Sequence, residues 1–169
     1  MQRDQRYSTA AIDRLLRPRS IAVVGASATP NALGASVLAN LDRARFKGDV
    51  HLVNPNRAEI GGRPCIASVD KLPDSVDCAV LAIPRAGVRE AVSACAKRRV
   101  GGVIIFSAGF AETGAEGRAE QDRIRDISAK RAGIGARPSA TARRAARVVR
   151  YAQCAESPSR FQGTTATSA

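Results

Sequence analysis

The stretch between Gly25 and Gly34 carries the residue types most suited to chemistry in this 169-residue chain. Gly25 ends the apolar run Ser20-Ile21-Ala22-Val23-Val24 and allows a tight turn. Past Ala26, the hydroxyls of Ser27 and Thr29 and the backbone N–H groups up to Leu33 can converge on an anion. Gly34 then opens a segment with Val37, Leu38 and Leu41 at helical spacing, and the positive end of that helix adds to the attraction. Strand, small-residue loop and helix in this order suit a phosphate cradle, with a plain tight turn of small residues as the alternative.

The surrounding residues narrow the ligand. A dinucleotide site asks for G-x-G-x-x-G and an acidic residue ending the next strand, to hold a ribose diol. Here the glycines stand too far apart, and the next strand ends Val53-Asn54-Pro55-Asn56. The Gly-Lys-Ser/Thr of a triphosphate loop is also missing. A nucleotide with an extra ribose phosphate tolerates the absent acid and gains a partner in Arg57. Other chemistry is sparse. Cys65, Cys78, Cys95 and Cys154 form no C-x-x-C pair, and His51 is the sole histidine, so no metal site is expected. Cys78 falls in an apolar strand, Cys95 on a helix stripe, and Cys65 beside a turn without a base. No catalytic residue is expected, and the chain alone is not expected to be an enzyme.

These residues need a scaffold of alternating strands and helices. Strands are expected at 20–24, 49–53, 78–83 and 102–106. Helices are expected from Gly34, through Val88, Val92 and Cys95, and from about Glu116 to Lys130 with Ile124 and Ile127 inward. Gly61-Gly62-Arg63-Pro64 reads as a turn, and 68–74 as a short helical turn. Successive βα crossovers predict a Rossmann-like, doubly wound parallel α/β sheet, with ligands bound beyond the carboxyl ends of its strands. A further strand is expected near Gly133-Ile134-Gly135, but the pattern fails there, so the last strand reads as missing or degenerate. The chain divides into a basic lead-in at 1–19, the α/β domain at 20–134 and an Ala/Arg/Ser-rich tail at 135–169. In that tail 142–151 suits a basic helix and 155–169 reads as disordered.

The net charge of +12 raises the question of nucleic acid. Residues 1–20 contribute +3, 21–136 contribute +4 and 137–169 contribute +5. The excess sits mainly at the ends. With no Trp, two Tyr and four Phe, stacking platforms are few, and specific nucleic-acid binding is not expected. No apolar run approaches the ~20 residues of a membrane span, and no secretory leader is evident, so the expected location is the cytoplasm.

The ordered motifs Ser20-Ile21-Ala22-Val23-Val24-Gly25-Ala26-Ser27, Gly34, Val53-Asn54-Pro55, Ala82-Ile83-Pro84 and Ser107-Ala108-Gly109-Phe110, with Glu112 and Gly114, resemble one family over roughly 13–134. It is the N-terminal coenzyme A-binding domain of the NDP-forming acyl-CoA synthetases, relatives of the succinyl-CoA synthetase alpha subunit. The same domain opens some multidomain lysine acetyltransferases. The resemblance implies a site for CoA or acyl-CoA on the carboxyl edge of the sheet. Gly25, Ala26, Ser27 and the stretch through Thr29 and Asn31 to Gly34 meet the phosphates. Asn54 and Pro55 line the adenine side, Ile83 and Pro84 border the cofactor, and Ser107, Ala108, Gly109 and Phe110 lie toward the thiol. Many members carry Gly-Lys or a similar pair just before this glycine. Asn31-Ala32 stands there instead and removes a cationic contact. After residue 134 the family continues into a strand and a Gly-Pro-Asn-Cys-Leu-Gly segment, which Gly135-Ala136-Arg137-Pro138-Ser139 does not reproduce.

The resemblance further implies that catalysis rests on phosphohistidine and ATP-grasp domains, or on an ATP-grasp partner chain, absent from this sequence. The expectation is therefore the CoA-binding portion of an acetate–CoA ligase type of synthetase. The alternatives are a stand-alone CoA-binding or regulatory module, the corresponding part of a lysine acetyltransferase, and a truncated remnant without function. A weak last strand would also leave an open sheet edge for self-association.

Overall fold

A computed structural model describes residues 9–130 and 149–151. Its first helix, α1 (Thr9–Leu16), precedes the central strand β1 (Ser20–Val24). There follow α2 (Leu33–Arg43), β2 (Asp49–Val53), a hairpin of β3 (Glu59–Ile60) and β4 (Arg63–Ile66), and β5 (Cys78–Leu81). The remainder is α3 (Arg85–Lys97), β6 (Gly102–Ile105), α4 (Ala115–Lys130) and β7 (Val149–Tyr151). Single 3-10 turns occupy Val69–Lys71 and Ala111–Thr113.

The strands form one sheet in the order β3-β4-β2-β1-β5-β6-β7, parallel throughout except for the β3–β4 pair. From β1 the chain moves outward through β2 to β4, then returns to place β5 on the other side of β1. The strand order therefore reverses between β1 and β5. This is the Rossmann-like arrangement expected from the βα periodicity, with its ligand crevice at the carboxyl ends of those two strands.

Both faces of the sheet are covered, so its central strands are apolar on both sides. Ile21 and Val23 point to the face packed by Leu38 of α2, with Leu15, Val37 and Leu41 at its margin. Ala22 and Val24 point to the other face, against Val88, Ala91, Val92 and Cys95 of α3 and Ile124 of α4. Ala22 and Ala79 are fully buried, and their small side chains let α3 approach the sheet closely.

Strands β1 and β2 occupy the expected residues, whereas β5 and β6 end earlier, at Leu81 and Ile105. The Gly61–Pro64 turn is also more structured than expected. Gly61 (φ 58°) and Gly62 (φ 75°) are consecutive left-handed residues that turn β3 into β4. Arg63 and Pro64 already belong to β4. Proline is tolerated because Pro64 faces only β3, and the parallel pairing of β4 with β2 begins at Cys65.

The sheet ends weakly at both margins: β3 has two residues and β7 three. β7 pairs in parallel with β6, Val103 opposite Val149 and Ile105 opposite Tyr151. Residues 149–151 are thus strand rather than the basic helix expected over 142–151. Residues 142–148, the expected strand near 133–135 and the tail at 155–169 lie outside the described residues.

In the lead-in, α1 is fastened to the amino edge of the sheet by Asp77. Its carboxylate accepts from Arg14 Nε (2.6 Å) and from the Arg19 N–H (2.9 Å). The Asp77 N–H donates to Ser20 Oγ (3.0 Å), and Arg14 Nη2 also donates to the Ser75 carbonyl (2.8 Å).

Candidate functional site

At the carboxyl edge of the sheet, the loops after β1 and β5 meet through Gly25. Its φ is +84°, and a Cβ there would collide with the Ala82 carbonyl and stand 2.8 Å from Ile83 Cγ2. Gly34, buried in the first turn of α2, lies directly on this loop. A Cβ on Gly34 would run into the Gly25 carbonyl oxygen and lie 2.9 Å from its carbon. The two glycines therefore form one contact, which seats the start of α2 against the end of β1.

Ala32, at the N-cap of α2, makes no side-chain cap, and the first turn holds no acidic residue. The first helical bond runs from the Ser36 N–H to the Ala32 carbonyl (3.0 Å). The N–H groups of Leu33, Gly34 and Ala35 thus precede the helical ladder and present the positive end of the helix to the crevice.

Other N–H groups of this loop are already engaged. Gly25 and Ala26 both donate to the Val53 carbonyl (3.0 and 3.3 Å), and Ala32 donates to the Thr29 carbonyl (3.2 Å). The Thr29 N–H donates to Ser27 Oγ (3.0 Å), while Asn31 takes the left-handed conformation (φ 65°). The N–H groups of Gly25, Ala26, Thr29 and Ala32 are thus committed within the protein, while those of Leu33, Gly34 and Ala35 stand at the helix start.

Asn54 braces the rim. Its Nδ2 donates to the Ala26 carbonyl (2.8 Å), and its Oδ1 accepts from the Asn56 N–H (2.8 Å). That holds the loops after β1 and β2 together and leaves Pro55 and Arg57 exposed beyond them. On the other side, Ile83 is half-buried and Pro84 stands exposed at the N-cap of α3.

Ser107, Ala108 and Gly109 reach the rim after β6, but Phe110 turns inward and is only 1% exposed. Its ring belongs to the core, so it can offer the rim only backbone. The N–H groups of Gly109 and Phe110 both donate to Glu112 Oε1, at 2.6 and 3.0 Å. These bonds, with the Glu112 N–H, hold that carboxyl below the usual carboxylate range, and nearby Arg85 reinforces the shift.

Arg85 and Glu112 are rim residues that sequence reasoning did not assign a role. Glu112 was visible only as part of a motif. Arg85 was signalled only by its place just after the proline that closes β5. Its stem lies against Gly109, where a Cβ would stand 2.9 Å from Arg85 Cδ, and its Nη2 is 3.8 Å from Glu116.

No credible nucleophile joins this edge among the described residues. Burial pushes the Cys78 thiol up to about 11 and the Cys95 thiol up to about 12. Burial, and then the negative charge of Glu59, raise that of Cys65. A charged recess lined in part by Asp42, Arg45, Asp49 and Arg63 lies at the opposite, amino edge, away from the two glycines. Among the described residues no cluster of His, Cys, Asp or Glu could hold a metal ion, and no helix is long and apolar enough to cross a membrane.

Comparison with known proteins decides the family. Residues 19–136 match the CoA binding domain. The chain belongs to the CoA-binding domain family. This CoA-binding domain is 48% identical over 127 residues to the trans-feruloyl-CoA synthase FCS1 of an unknown prokaryotic organism, a match spanning 75% of this chain and 18% of that protein. To the ADP-forming acetate–CoA ligase I of Archaeoglobus fulgidus it is 38% identical over 123 residues, 73% of this chain and 18% of that one. Among solved structures, it resembles the dinucleotide-forming acetyl-coenzyme A synthetase 1 of Ca. Korarchaeum cryptofilum in complex with phosphate and ADP. There the TM-score is 0.67 and the identity 32%, over 80% of this chain and 30% of that one. The chain thus corresponds to one CoA-binding portion of much longer acyl-CoA ligases.

Proposed function

We propose that this chain holds coenzyme A for an NDP-forming acyl-CoA synthetase and depends on other domains or a partner chain for acyl activation. One observation carries the reading: the Gly25–Gly34 contact, which sets the uncapped start of α2 over the strand-order reversal. The cradle is closed to any side chain at position 34, yet its helical N–H groups remain directed at the crevice. That suits a diphosphate.

In this reading, Leu33, Gly34 and Ala35 supply the N–H groups for the phosphates, beside Gly25, Ala26, Ser27, Thr29 and Asn31. Asn54 fixes the adenine-side wall with Pro55, and Arg57 meets the ribose phosphate. Ile83 and Pro84 border the pantetheine arm, and the backbone of Ser107, Ala108, Gly109 and Phe110 faces the thiol end. Bound CoA would supply a thiol for transfer of an acyl group activated elsewhere, the thioester forming as the activating phosphate leaves. The chain's own residues orient and shield it, since the buried cysteines cannot serve as nucleophiles. Phosphohistidine and ATP-grasp units, in the same polypeptide or a partner, would provide the activated acyl group. The cytoplasm is the compartment this reading assigns.

Calorimetric titration of the full chain with CoA, 3′-dephospho-CoA and NAD tests the reading. Saturable binding of CoA, weaker binding of dephospho-CoA and none of NAD is the expected result. The Arg57→Ala variant should erase most of the difference between the first two ligands. A folded chain that binds neither CoA nor dephospho-CoA would refute the proposal.

A further inference from the structure

The two ends of the rim treat anions differently. At the start of α2, N–H groups face the crevice without a capping side chain. After β6, the successive N–H groups of Gly109 and Phe110 also converge on one point, the kind of backbone concavity that binds anions. That concavity is already filled, because both donate to Glu112 Oε1 (2.6 and 3.0 Å).

The loop around it is braced from within. Gly109 sits at φ +97°, a conformation few other residues adopt without strain. The Ala111 N–H donates to Gln121 Oε1 (3.3 Å), and Thr113 Oγ1 donates to the Phe110 carbonyl (2.8 Å). Phe110 anchors the loop in the core, and the Arg85 stem packs on Gly109 from the side of α3. Of these ties, the carboxylate of Glu112 is the one that joins both N–H groups of the rim.

We propose that Glu112 is a positioning residue for the thiol end of the CoA site: its carboxylate is a built-in anion that fixes the Gly109–Phe110 backbone and denies that concavity to the phosphates of the ligand. The inference rests on the CoA reading above. A ligand with a charged end and a neutral thiol end is thereby given one orientation along the edge of the sheet. Phosphates meet open donors after β1, whereas the thiol arm meets a loop whose donors are spent. Glu112 acts through the backbone and touches no reacting atom, so its loss should alter binding by loosening the loop. Charge-assisted bonds of this kind are stronger than neutral ones, so the effect should be measurable even on an exposed loop.

The experiment uses the full chain and two variants, Glu112→Ala and Glu112→Gln. Amide hydrogen exchange at Gly109 and Phe110 is followed by NMR, and CoA affinity is measured by calorimetry on the same samples, with and without sodium acetate. The Glu112→Ala variant should exchange both amides about tenfold faster and bind CoA about tenfold more weakly. Acetate, entering the vacated concavity, should restore both properties and leave the wild type unchanged. The Glu112→Gln variant, which keeps a neutral acceptor, should fall between. Unchanged exchange in Glu112→Ala would overturn the proposal, as would faster exchange with unaltered CoA affinity or a failure of acetate to restore either property. If the wild type itself bound no CoA, the functional reading and the positioning role would fall together. Exchange would still report whether the clasp exists, so the two failures are distinguishable.

Discussion

Replacing Gly34 by alanine sets two physical expectations against each other. Gly34 lies inside α2, where alanine is the better helix former by about 1 kcal/mol, so local propensity alone predicts a more stable protein. The structure predicts the reverse. The new methyl would overlap the Gly25 carbonyl oxygen, stand 2.9 Å from Gly25 C and 3.1 Å from Ala26 Cα, and meet backbone that cannot rotate away. Overpacking of this kind costs roughly 1–3 kcal/mol, and the overlap with backbone places it at the upper end. Set against the gain in propensity, the net loss is about 2 kcal/mol. At about 2–4 °C per kcal/mol, the Tm should fall by roughly 4–8 °C. The same displacement moves the N–H groups of Leu33 to Ala35 off their aim. Losing one charge-assisted bond to a phosphate, worth about 1.5 kcal/mol or more, should weaken CoA binding at least about tenfold. Calorimetric melting and CoA titration of Gly34→Ala measure both. A Tm that rises with CoA affinity intact would show that α2 does not rest on Gly25, and the argument for the cradle would collapse.

Other consequences follow from the same contacts. Burial pushes the Asp77 carboxyl up, but Arg14 and the bonds with Arg19 and Ser20 outweigh that and hold it below its ordinary value. A carboxyl lowered on folding contributes stability above its unfolded pKa of about 3.9 and loses it as pH falls through the folded value. Stability measured by denaturant titration should therefore fall more steeply below about pH 4 in the wild type than in Asp77→Asn, and equal slopes would contradict the clamp. The thiols of Cys78 and Cys95, pushed up to about 11 and about 12, should resist alkylation at neutral pH and react once denaturant is added, as mass spectrometry of the labelled chain can show. Phe110→Ala should cost about 3–5 kcal/mol in a chemical unfolding curve, because the ring lies in the core. A change below about 1 kcal/mol would mean that the ring is a ligand contact instead.

Elements whose stability is local were legible in the residues. Ser20–Val24 is an apolar run stopped by Gly25, Asp49–Val53 a short strand carrying Val50, Leu52 and Val53 and stopped by Asn54-Pro55, and α3 announces itself through Val88, Val92 and Cys95. Gly25 was legible as a tight turn and Gly34 as a helix start open to close approach, but that the two glycines touch each other was not. What escaped depends on partners distant in sequence. α1 is held by a clamp between Arg14 and Asp77, 63 residues apart, and neither residue signals the other. β4 hid behind Pro64, whose harmlessness follows only from the register against β3 and β2. Arg85 looked like any first-turn arginine until Gly109 was placed beneath its stem. The inward turn of Phe110 was equally invisible, since the motif gives its position on the rim but not the direction of its side chain.

The charge of the chain and the charge of the site are separate matters. A net +12 suggests that an anionic ligand would be drawn in by lysines and arginines, yet no basic residue occurs between Gly25 and Arg43. On the rim, Arg57 stands exposed beyond Asn54, and Arg85 is engaged on the β6 side with Gly109 and Glu116. In the proposed reading, the attraction at the phosphate end comes from helix N–H groups fixed in place by backbone contact, with glycines rather than basic side chains marking the site. Fixed dipoles demand geometry. A basic loop tolerates small displacements because its side chains follow the ligand, whereas the start of α2 can meet a diphosphate only while Gly34 stays seated on Gly25. The same logic runs in reverse after β6, where Glu112 satisfies equivalent donors with the chain's own charge. In the same reading, one edge of the sheet carries two groups of converging N–H donors, one open at the start of α2 and one closed by Glu112, and their difference gives the crevice its direction.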